Sequence, residues 1–190
     1  VQRGDTHYHC FGCGAHGDAI SFLMTHVKMG FIEAIENLAE RFQVTLEQVD
    51  EPNQKKGPSK AKLKHALELS AKLYHFLLLH SEEGHHALRY LYARGLGLEF
   101  IRHFEVGFAP AQGDLLVRYL REEGIEIEVM QEAGLMNARG RDFFSDRIAF
   151  PIRDAIGAVI GFSSRKFKEE TFGGKYINTP ETPLFKKSHV

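Results

Sequence analysis

Two cysteines with a two-residue spacing, Cys10 and Cys13, are the first residues whose types predict a defined chemistry. They are the only cysteines among the 190 residues of the chain, in the segment YHCFGCGAHGDAISFLM. A Cys-x-x-Cys pair supplies half of a tetrahedral zinc site, which takes four ligands. Gly12 and Gly14 flank Cys13 and permit the tight turn that directs backbone N–H groups at a thiolate. The pattern favours a zinc knuckle, with a redox pair or two incidental cysteines as the alternative.

The other half of the zinc site is not evident in the sequence. His9 adjoins Cys10 and, on an extended strand, should point to the opposite face. His16 follows Cys13 by three residues and could approach the metal, although such a histidine is more often a polar loop residue. We therefore expect the missing ligands upstream of Val1. The chain begins with valine and ends without a helix-stop signal, so we expect a piece cut at both ends.

Cations and hydrogen-bonding side chains cluster in the last third of the sequence. From position 139 onward there are ten Lys and Arg against six Asp and Glu, although the whole chain has a net charge of −1. Arginine presents a planar fork to phosphate oxygens, tyrosine offers a stacking face, and asparagine can bond sugar or base edges. These residues predict a groove for a polyphosphate or a nucleic-acid strand, and a solvated basic sheet face explains them equally well. The candidate binding residues are Arg147, Arg165, Lys175, Tyr176 and Asn178.

No arrangement of acidic residues predicts a catalytic metal centre. Asp142, Asp146 and Asp154 are spread through turns beside arginines, which is typical of turn caps and ion pairs. The sequence also has neither a nucleophile elbow nor a phosphate-cradling glycine loop. The sequence therefore indicates a binding function, and none of its residues is predicted to be catalytic.

The elements that position these residues fall into two parts. Asp18 is a good helix N-cap, and apolar residues at helical spacing after it predict two short helices separated by Gly30. Residues 49–60 are rich in proline, glycine and charge, which predicts a linker between a domain at 1–48 and another at 61–190. There is no secretory signal and no apolar run of membrane-spanning length. A reducing cytoplasmic location is expected.

The second part predicts an α+β fold. Helical periodicity covers residues 62–80, 87–94, 98–104, 114–123 and 126–133, with Asp114 as a cap. The segment EVGFAP is strand-like, and alternating apolar residues predict two strands after position 146. Pro151 lies inside the first of these and predicts an edge position or a bulge. The expected architecture is a zinc-ribbon remnant with helices, a linker, and helices packed on a small, mostly antiparallel sheet.

Four sequence blocks resemble the bacterial-type DNA primase (DnaG) family. YHCFGCGAHGDAISFLM is similar to the second half of its zinc-binding domain. YLYARGLGLEFIRHFEVGFAP resembles the opening of its RNA polymerase domain. FFSDRIAFPIRDAIGAVIGFSSR and KYINTPETPLFKK resemble the basic strands ahead of its magnesium-binding Toprim fold. The blocks occur in family order and cover nearly the whole chain.

The resemblance implies roles for particular residues. Cys10 and Cys13 would be the second pair of a Cys-x-x-His…Cys-x-x-Cys zinc site. Arg147 and Arg165 would line a basic groove, and the KY-x-N element that begins at Lys175 would bind template and incoming nucleotide. The carboxylates that hold magnesium would belong to a Toprim segment beyond the end of the chain.

The resemblance also implies a function. The parent protein would be a nucleotidyltransferase that synthesises short RNA primers on single-stranded DNA from ribonucleoside triphosphates during replication. It would be a monomer that contacts the replicative helicase through a region outside this chain. The chain alone would supply template and nucleotide binding without catalysis. The alternative is a non-catalytic module that binds single-stranded nucleic acid.

Overall fold

The computed structural model describes residues 7–46 and 57–186. The chain divides into two compact units, Val1–Gln54 and Lys55–Val190. Most of the predicted linker lies outside the described residues. None of the described helices is both long enough and apolar enough to cross a membrane.

The first unit is a hairpin followed by two helices. Strands β1 (His7–His9) and β2 (His16–Asp18) are antiparallel, and the Asp18 carboxylate accepts the Ser21 N–H at 2.7 Å to begin helix α1, Ala19–His26. This confirms the predicted N-cap. Helix α2, Phe31–Phe42, starts directly after Gly30.

The second unit contains five helices and four strands among its described residues. The helices are α3 (Lys60–His80), α4 (Glu82–Ala93), α5 (Leu98–His103), α6 (Leu115–Glu122) and α7 (Ile127–Glu132). The strands are β3 (Gly107–Ala109), β4 (Arg147–Arg153), β5 (Val159–Arg165) and β6 (Tyr176–Asn178). Helices packed on a small sheet confirm the predicted α+β class.

The four-stranded sheet has the order β3-β4-β5-β6, and every pair is antiparallel. Strand β4 is interior, yet β3 pairs with it only as far as Ala149. Pro151 lies beyond that pairing. Because β3 does not reach this position, the absence of an N–H on proline removes no hydrogen bond between the two strands. A register irregularity follows at Ile152/Arg153. The irregularity confirms the bulge that the proline predicts, whereas the alternative of an edge strand is wrong because β4 lies between β3 and β5.

Both faces of the sheet pack on helices, and α3 contributes residues to the core on each side. Ala149 and Phe162 belong to a core cluster with residues of α3, α6 and α7. Residues directly opposite each other on paired strands share a face, and Phe108 and Ile148, which pair, belong to a second cluster with residues of α4 and α5. A Cβ at Gly107 would lie 2.5 Å from Tyr74 Cβ, so only glycine lets β3 approach α3 this closely.

The beginning of helix α6 corrects one sequence prediction. Asp114 occupies the N-cap position, but its side chain makes no capping hydrogen bond. The Asp142 carboxylate accepts the Leu116 and Val117 N–H groups instead, at 3.0 and 2.9 Å. Burial raises the pKa of Asp142, and these two hydrogen bonds oppose the rise. A residue 26 positions away caps the helix, and local pattern does not reveal that.

Replacing Tyr74 with phenylalanine is expected to increase the free energy of unfolding by about 1 kcal/mol, because a buried hydroxyl without a partner is costly. Tyr74 is 1% exposed, and its hydroxyl has no hydrogen-bond partner among the described residues. Burial, followed by the charge of Asp142, raises its pKa well above 10.0. Since the folded state holds this proton more tightly, wild-type stability should fall as the pH rises above about 10. Y74F should lack that loss.

Urea unfolding of wild type and Y74F at neutral and alkaline pH measures both effects. Tyr119→Phe is the control, because Tyr119 is only half-buried, and its stability should change by less than about 0.5 kcal/mol. A loss of stability in Y74F at neutral pH would show that the Tyr74 hydroxyl contributes a favourable hydrogen bond.

Candidate functional site

The cysteine hairpin presents two sulfur ligands at the surface. Cys10 and Cys13 are both free and exposed, and the turn between them is closed by the Cys10 N–H donating to Ala15 O at 2.7 Å. Gly14 has φ +75°, which glycine adopts at little cost. Backbone hydrogen bonds from Cys13 and then Gly12 lower the pKa of the Cys10 thiol. The turn therefore favours the thiolate, the form that binds zinc.

The described part of the chain offers no further ligand to this pair. It contains no group of three or more His, Cys, Asp or Glu placed to hold a metal. The His16 ring contacts the Gly14 carbonyl through Nδ1 at 3.2 Å. The hairpin thus fits half of a tetrahedral zinc site, and a metal there would need two ligands from outside the described residues.

Four of the five predicted binding residues come together at one edge of the sheet. Arg165 pairs with Tyr176, and Ser163 pairs with Asn178, so the side chains of these residues share a face. The Arg165 guanidinium carbon lies 5.2 Å from the Tyr176 ring centroid, and Arg165 Nη1 donates to the Tyr176 hydroxyl at 2.5 Å. Lys175 Nζ lies 6.0 Å from the same ring. We call Arg165, Lys175, Tyr176 and Asn178 the β5–β6 face.

Three residues of the β5–β6 face, Lys175, Tyr176 and Asn178, are exposed, and no carboxylate in the described second unit neutralises its cations. Tyr176 is 56% exposed. Within residues 57–186, neither Arg165 nor Lys175 forms an ion pair, whereas Arg153 on β4 pairs with both Glu68 and Glu105. Cations that lie over an aromatic ring, with no carboxylate partner, leave positive charge available to an anion.

Arg147 lies elsewhere, which corrects the expectation that all the cations share one trough. Its neighbour Ile148 pairs with Arg165, so Arg147 is on the opposite face of the sheet. Arg147 is only 2% exposed. Its Nη2 donates to Phe172 O at 2.6 Å and its Nη1 donates to Gly174 O at 2.9 Å. The guanidinium is therefore hydrogen-bonded to the loop that precedes β6.

A second set of contacts anchors the same loop. The Asp146 carboxylate accepts Lys168 Nζ at 3.0 Å and Thr171 Oγ1 at 2.7 Å. Burial lowers the pKa of Arg147, and the charge of Asp146 opposes that effect. Together Asp146 and Arg147 fix the loop from Lys166 to Gly174, which leads directly into Lys175 and Tyr176.

The three turn aspartates have structural roles, as the sequence predicts. Asp142 caps α6, Asp146 holds the loop, and Asp154 accepts the Ile156 and Ala158 N–H groups in its own turn. Asp154 also pairs with Lys64 at 3.3 Å. The ion-pair partners of Asp146 and Asp154 are lysines, Lys168 and Lys64, although the sequence suggested arginines.

Sequence reasoning missed two residues at the edge of the β5–β6 face. The Tyr90 ring centroid lies 5.6 Å from the Arg165 guanidinium carbon and 4.8 Å from that of Arg94. Tyr90 and Arg94 are four residues apart, a spacing that makes them neighbours on a helix. That spacing is the only local signal, and it does not indicate contact with β5.

The comparison with known families assigns both units. Residues 1–54 match the family described as the CHC2 zinc finger. The first unit, which contains the cysteine hairpin, therefore belongs to that class of metal-binding domains. Residues 74–190 match the family described as the DNA primase catalytic core, N-terminal domain. The chain therefore belongs to the DNA primase family.

Individual relatives agree with this assignment. The DNA primase of Chlamydia pneumoniae is 44% identical over 192 residues, covering all of this chain and 32% of the relative. Among solved structures, the zinc-binding and RNA polymerase domains of Aquifex aeolicus primase match with a TM-score of 0.61 and 33% identity, covering 96% of this chain and 43% of that one. The chain spans about a third of the length of the curated relatives it matches.

The RNA polymerase domain of Mycobacterium tuberculosis primase DnaG also matches this chain. Its structure with a double-stranded DNA oligomer gives a TM-score of 0.64 and 37% identity, covering 68% of this chain and 41% of that one.

Proposed function

We propose that this chain is the template- and nucleotide-binding part of a DNA primase, an enzyme that synthesises short RNA primers for DNA replication. The observation that carries the proposal is the β5–β6 face, where Arg165 and Lys175 lie over the exposed Tyr176 ring and pair with no carboxylate of residues 57–186. Cations along a groove bind the phosphates of a single strand, and aromatic rings stack on its bases. Asn178 adds an exposed amide to the same face.

Two solved neighbours support a nucleic-acid ligand. The Mycobacterium tuberculosis RNA polymerase domain was solved with a DNA duplex that carries a six-nucleotide overhang. A DnaG primase catalytic domain, 35% identical to this chain, was solved bound to single-stranded DNA. We propose single-stranded DNA template and ribonucleoside triphosphates as the ligands of the β5–β6 face.

Zinc is proposed as the metal of the first unit, held in part by the thiolates of Cys10 and Cys13. The lowered pKa of Cys10 fits this ligand role. When bound, zinc supplies a cross-link that holds the hairpin in one conformation. We propose that the first unit, with helices α1 and α2 after the hairpin, then contacts the template.

Catalysis is proposed to depend on magnesium held by carboxylates outside the described residues. The described residues contribute no acidic cluster suited to that ion. Their role is to bind and orient the template and the phosphates of the nucleotide, which is a large part of phosphoryl-transfer catalysis. We expect the chain alone to bind template without making primers, and the whole protein to act in the cytoplasm as a monomer that contacts the replicative helicase.

Binding of a fluorescently labelled oligothymidylate, measured by anisotropy across a salt series, tests the proposal. Each phosphate contact on a single strand contributes about 0.7 to the slope of log affinity against log salt. Lys175→Met should reduce the slope by about 0.7. Lys72→Met is the matched control, because Lys72 is exposed on α3, most of whose core residues belong to the cluster on the other side of the sheet.

An unchanged slope in Lys175→Met, or an equal fall in Lys72→Met, would contradict the proposed face. The same oligonucleotide, with magnesium and nucleoside triphosphates added, separates the two candidate functions. Primer synthesis by the full-length protein supports the primase, and binding without synthesis in that protein supports the non-catalytic module.

A further inference from the structure

Phe172 presents an aromatic ring to solvent at the end of the sheet that carries the β5–β6 face. The residue is 96% exposed and belongs to the loop that joins β5 to β6. Strand β4 begins at Arg147, β5 ends at Arg165 and β6 begins at Tyr176, and antiparallel pairing brings these three positions to one end of the sheet. The Phe172 carbonyl accepts Arg147 Nη2 at 2.6 Å, so Phe172 lies at the same end.

The backbone on both sides of Phe172 is fixed by contacts with the sheet. Thr171 Oγ1 donates to the Asp146 carboxylate at 2.7 Å. Gly173 has φ +90°, and a Cβ at that position would lie 3.3 Å from Ile177 Cδ1 on β6. The loop therefore holds Phe172 beside β6 before any ligand binds, which reduces the ordering cost of binding.

The exposure of Phe172 contrasts with the packing of the other phenylalanine in the same loop. Phe167 packs edge-on against the buried Phe108, with ring centroids 5.9 Å apart, and contributes to the second core cluster. A single exposed apolar side chain is common on protein surfaces and assigns no function by itself. Phe172 combines that exposure with a fixed backbone and a place four residues before Tyr176, a chain separation of at most about 14 Å.

A nucleobase is the ligand that fits a lone exposed ring at this position. Bases stack on aromatic side chains with little regard to sequence, because every base has a π face. A protein partner would bury a contiguous apolar patch, whereas Phe172 is preceded by a threonine and followed by two glycines. The exposed Lys175 and Tyr176 follow those glycines, so the ring adjoins the surface proposed to hold a strand.

We propose that Phe172 stacks on a base of the single strand held by the β5–β6 face, where that strand passes the beginning of β6. The inference rests on the proposed function, because it adds a second stacking ring to the surface that contains Tyr176. Phe172 contacts the base, and Arg147 is a positioning residue that fixes the loop.

Phe172→Ala is expected to weaken oligothymidylate binding about fivefold or more, which is the effect of losing one stacked base. The salt slope should stay at the wild-type value, because a phenyl ring releases no counterions. Phe172→Leu should show the same loss, since leucine is apolar but has no π face. On an abasic oligonucleotide of the same length, wild type and both variants should bind equally. Urea unfolding establishes that each variant folds.

A tryptophan at position 172 reports stacking directly, because the chain contains no other tryptophan. The fluorescence of Phe172→Trp should be quenched by oligothymidylate and not by the abasic oligonucleotide. Phe104→Trp is the matched control. Phe104 is 52% exposed, and its neighbour Glu105 pairs with Arg153 at the opposite end of β4 from Arg147. Its fluorescence should not change with either oligonucleotide.

The outcomes separate this inference from the proposed function. Weaker binding by Phe172→Ala at an unchanged slope, with quenching of Phe172→Trp, supports the inference. Wild-type affinity in Phe172→Ala or Phe172→Leu, or an equal loss on the abasic oligonucleotide, would overturn it, while a reduced slope in Lys175→Met would leave the β5–β6 face standing. Quenching of Phe172→Trp by ATP and not by oligothymidylate would assign the ring to the nucleotide and also overturn it. If wild type shows no salt-dependent binding at all, both proposals are wrong.

Discussion

Replacing Arg147 with methionine is expected to lower the free energy of unfolding by about 3 kcal/mol. The guanidinium is buried and donates to two backbone carbonyls, those of Phe172 and Gly174. Removing it loses two hydrogen bonds from a charged donor, and each such bond contributes about 1.5–3 kcal/mol. Arg147→Lys should recover less than half of the loss, because an ammonium lacks the planar fork that reaches both oxygens. Urea unfolding monitored by circular dichroism measures these differences.

Arg153→Met is the control for Arg147→Met. Both arginines lie on β4, but Arg153 is exposed and pairs with Glu68 and Glu105. Exposed ion pairs contribute about 0–1 kcal/mol each, so the loss of two pairs in Arg153→Met should cost no more than about 2 kcal/mol. The folded Arg147→Met protein should keep the wild-type salt slope while binding more weakly, because the loop before Lys175 is no longer fixed. A slope reduced by about 0.7 with little loss of stability would instead show that Arg147 contacts phosphate directly.

Replacing Arg165 with methionine is expected to weaken oligothymidylate binding by about 10-fold or more and to reduce the salt slope by about 0.7. A charge-assisted hydrogen bond contributes about 1.5–3 kcal/mol, which corresponds to a change of at least tenfold. Arg165 has no acidic partner in the described second unit and projects onto the same face as Tyr176. Stability should change little, since the side chain is only half-buried. Anisotropy titrations at four or more salt concentrations give both quantities.

Arg121→Met provides the charge-matched comparison for Arg165→Met. Arg121 is exposed on α6, whose buried residues pack on the other side of the sheet. Its removal should leave affinity and slope close to the wild-type values. Equal effects in the two variants would indicate that net charge alone governs binding, and would contradict a localised face.

Period-two alternation made much of the binding face predictable from sequence. The apolar residues Ile148 and Phe150 fix which side of β4 is buried by the second core cluster. The KY-x-N spacing then puts Tyr176 and Asn178 on one side of a short strand. What periodicity does not give is the partner across the strand, and the pairing of Tyr176 with Arg165 comes only from the register of the sheet.

The role of Arg147 could not be predicted because its partners are distant in sequence. Its side chain lies on the side of β4 away from Ile148, as alternation predicts. Whether that side is open or covered depends on a loop 25 to 27 residues further along, whose carbonyls the guanidinium meets. The same limit applies to Asp142, which caps a helix that begins 27 positions earlier. In both cases local pattern identified a polar residue, and only the structure shows the distant backbone groups that it contacts.

The contact of Tyr90 with Arg165 could not be predicted from sequence either. The helix that contains Tyr90 was predicted from periodicity, and nothing within it distinguishes Tyr90 from another surface tyrosine. Only the packing of α4 against the sheet, through Leu91 and Ile148 in one cluster, brings Tyr90 to Arg165. Residues of a binding surface that come from separate elements are found by structure and not by motif.

Photo-crosslinking tests the central claim most directly, namely that a single strand lies across the β5–β6 face. An oligonucleotide substituted with 5-iododeoxyuridine would be irradiated with the protein at low salt, and the cross-linked peptides would be identified by mass spectrometry. The account predicts cross-links at Tyr176, and their loss in Tyr176→Ala under conditions where Tyr119 remains unmodified. Cross-links confined to α6 or to the first unit, with none at Tyr176, would contradict it.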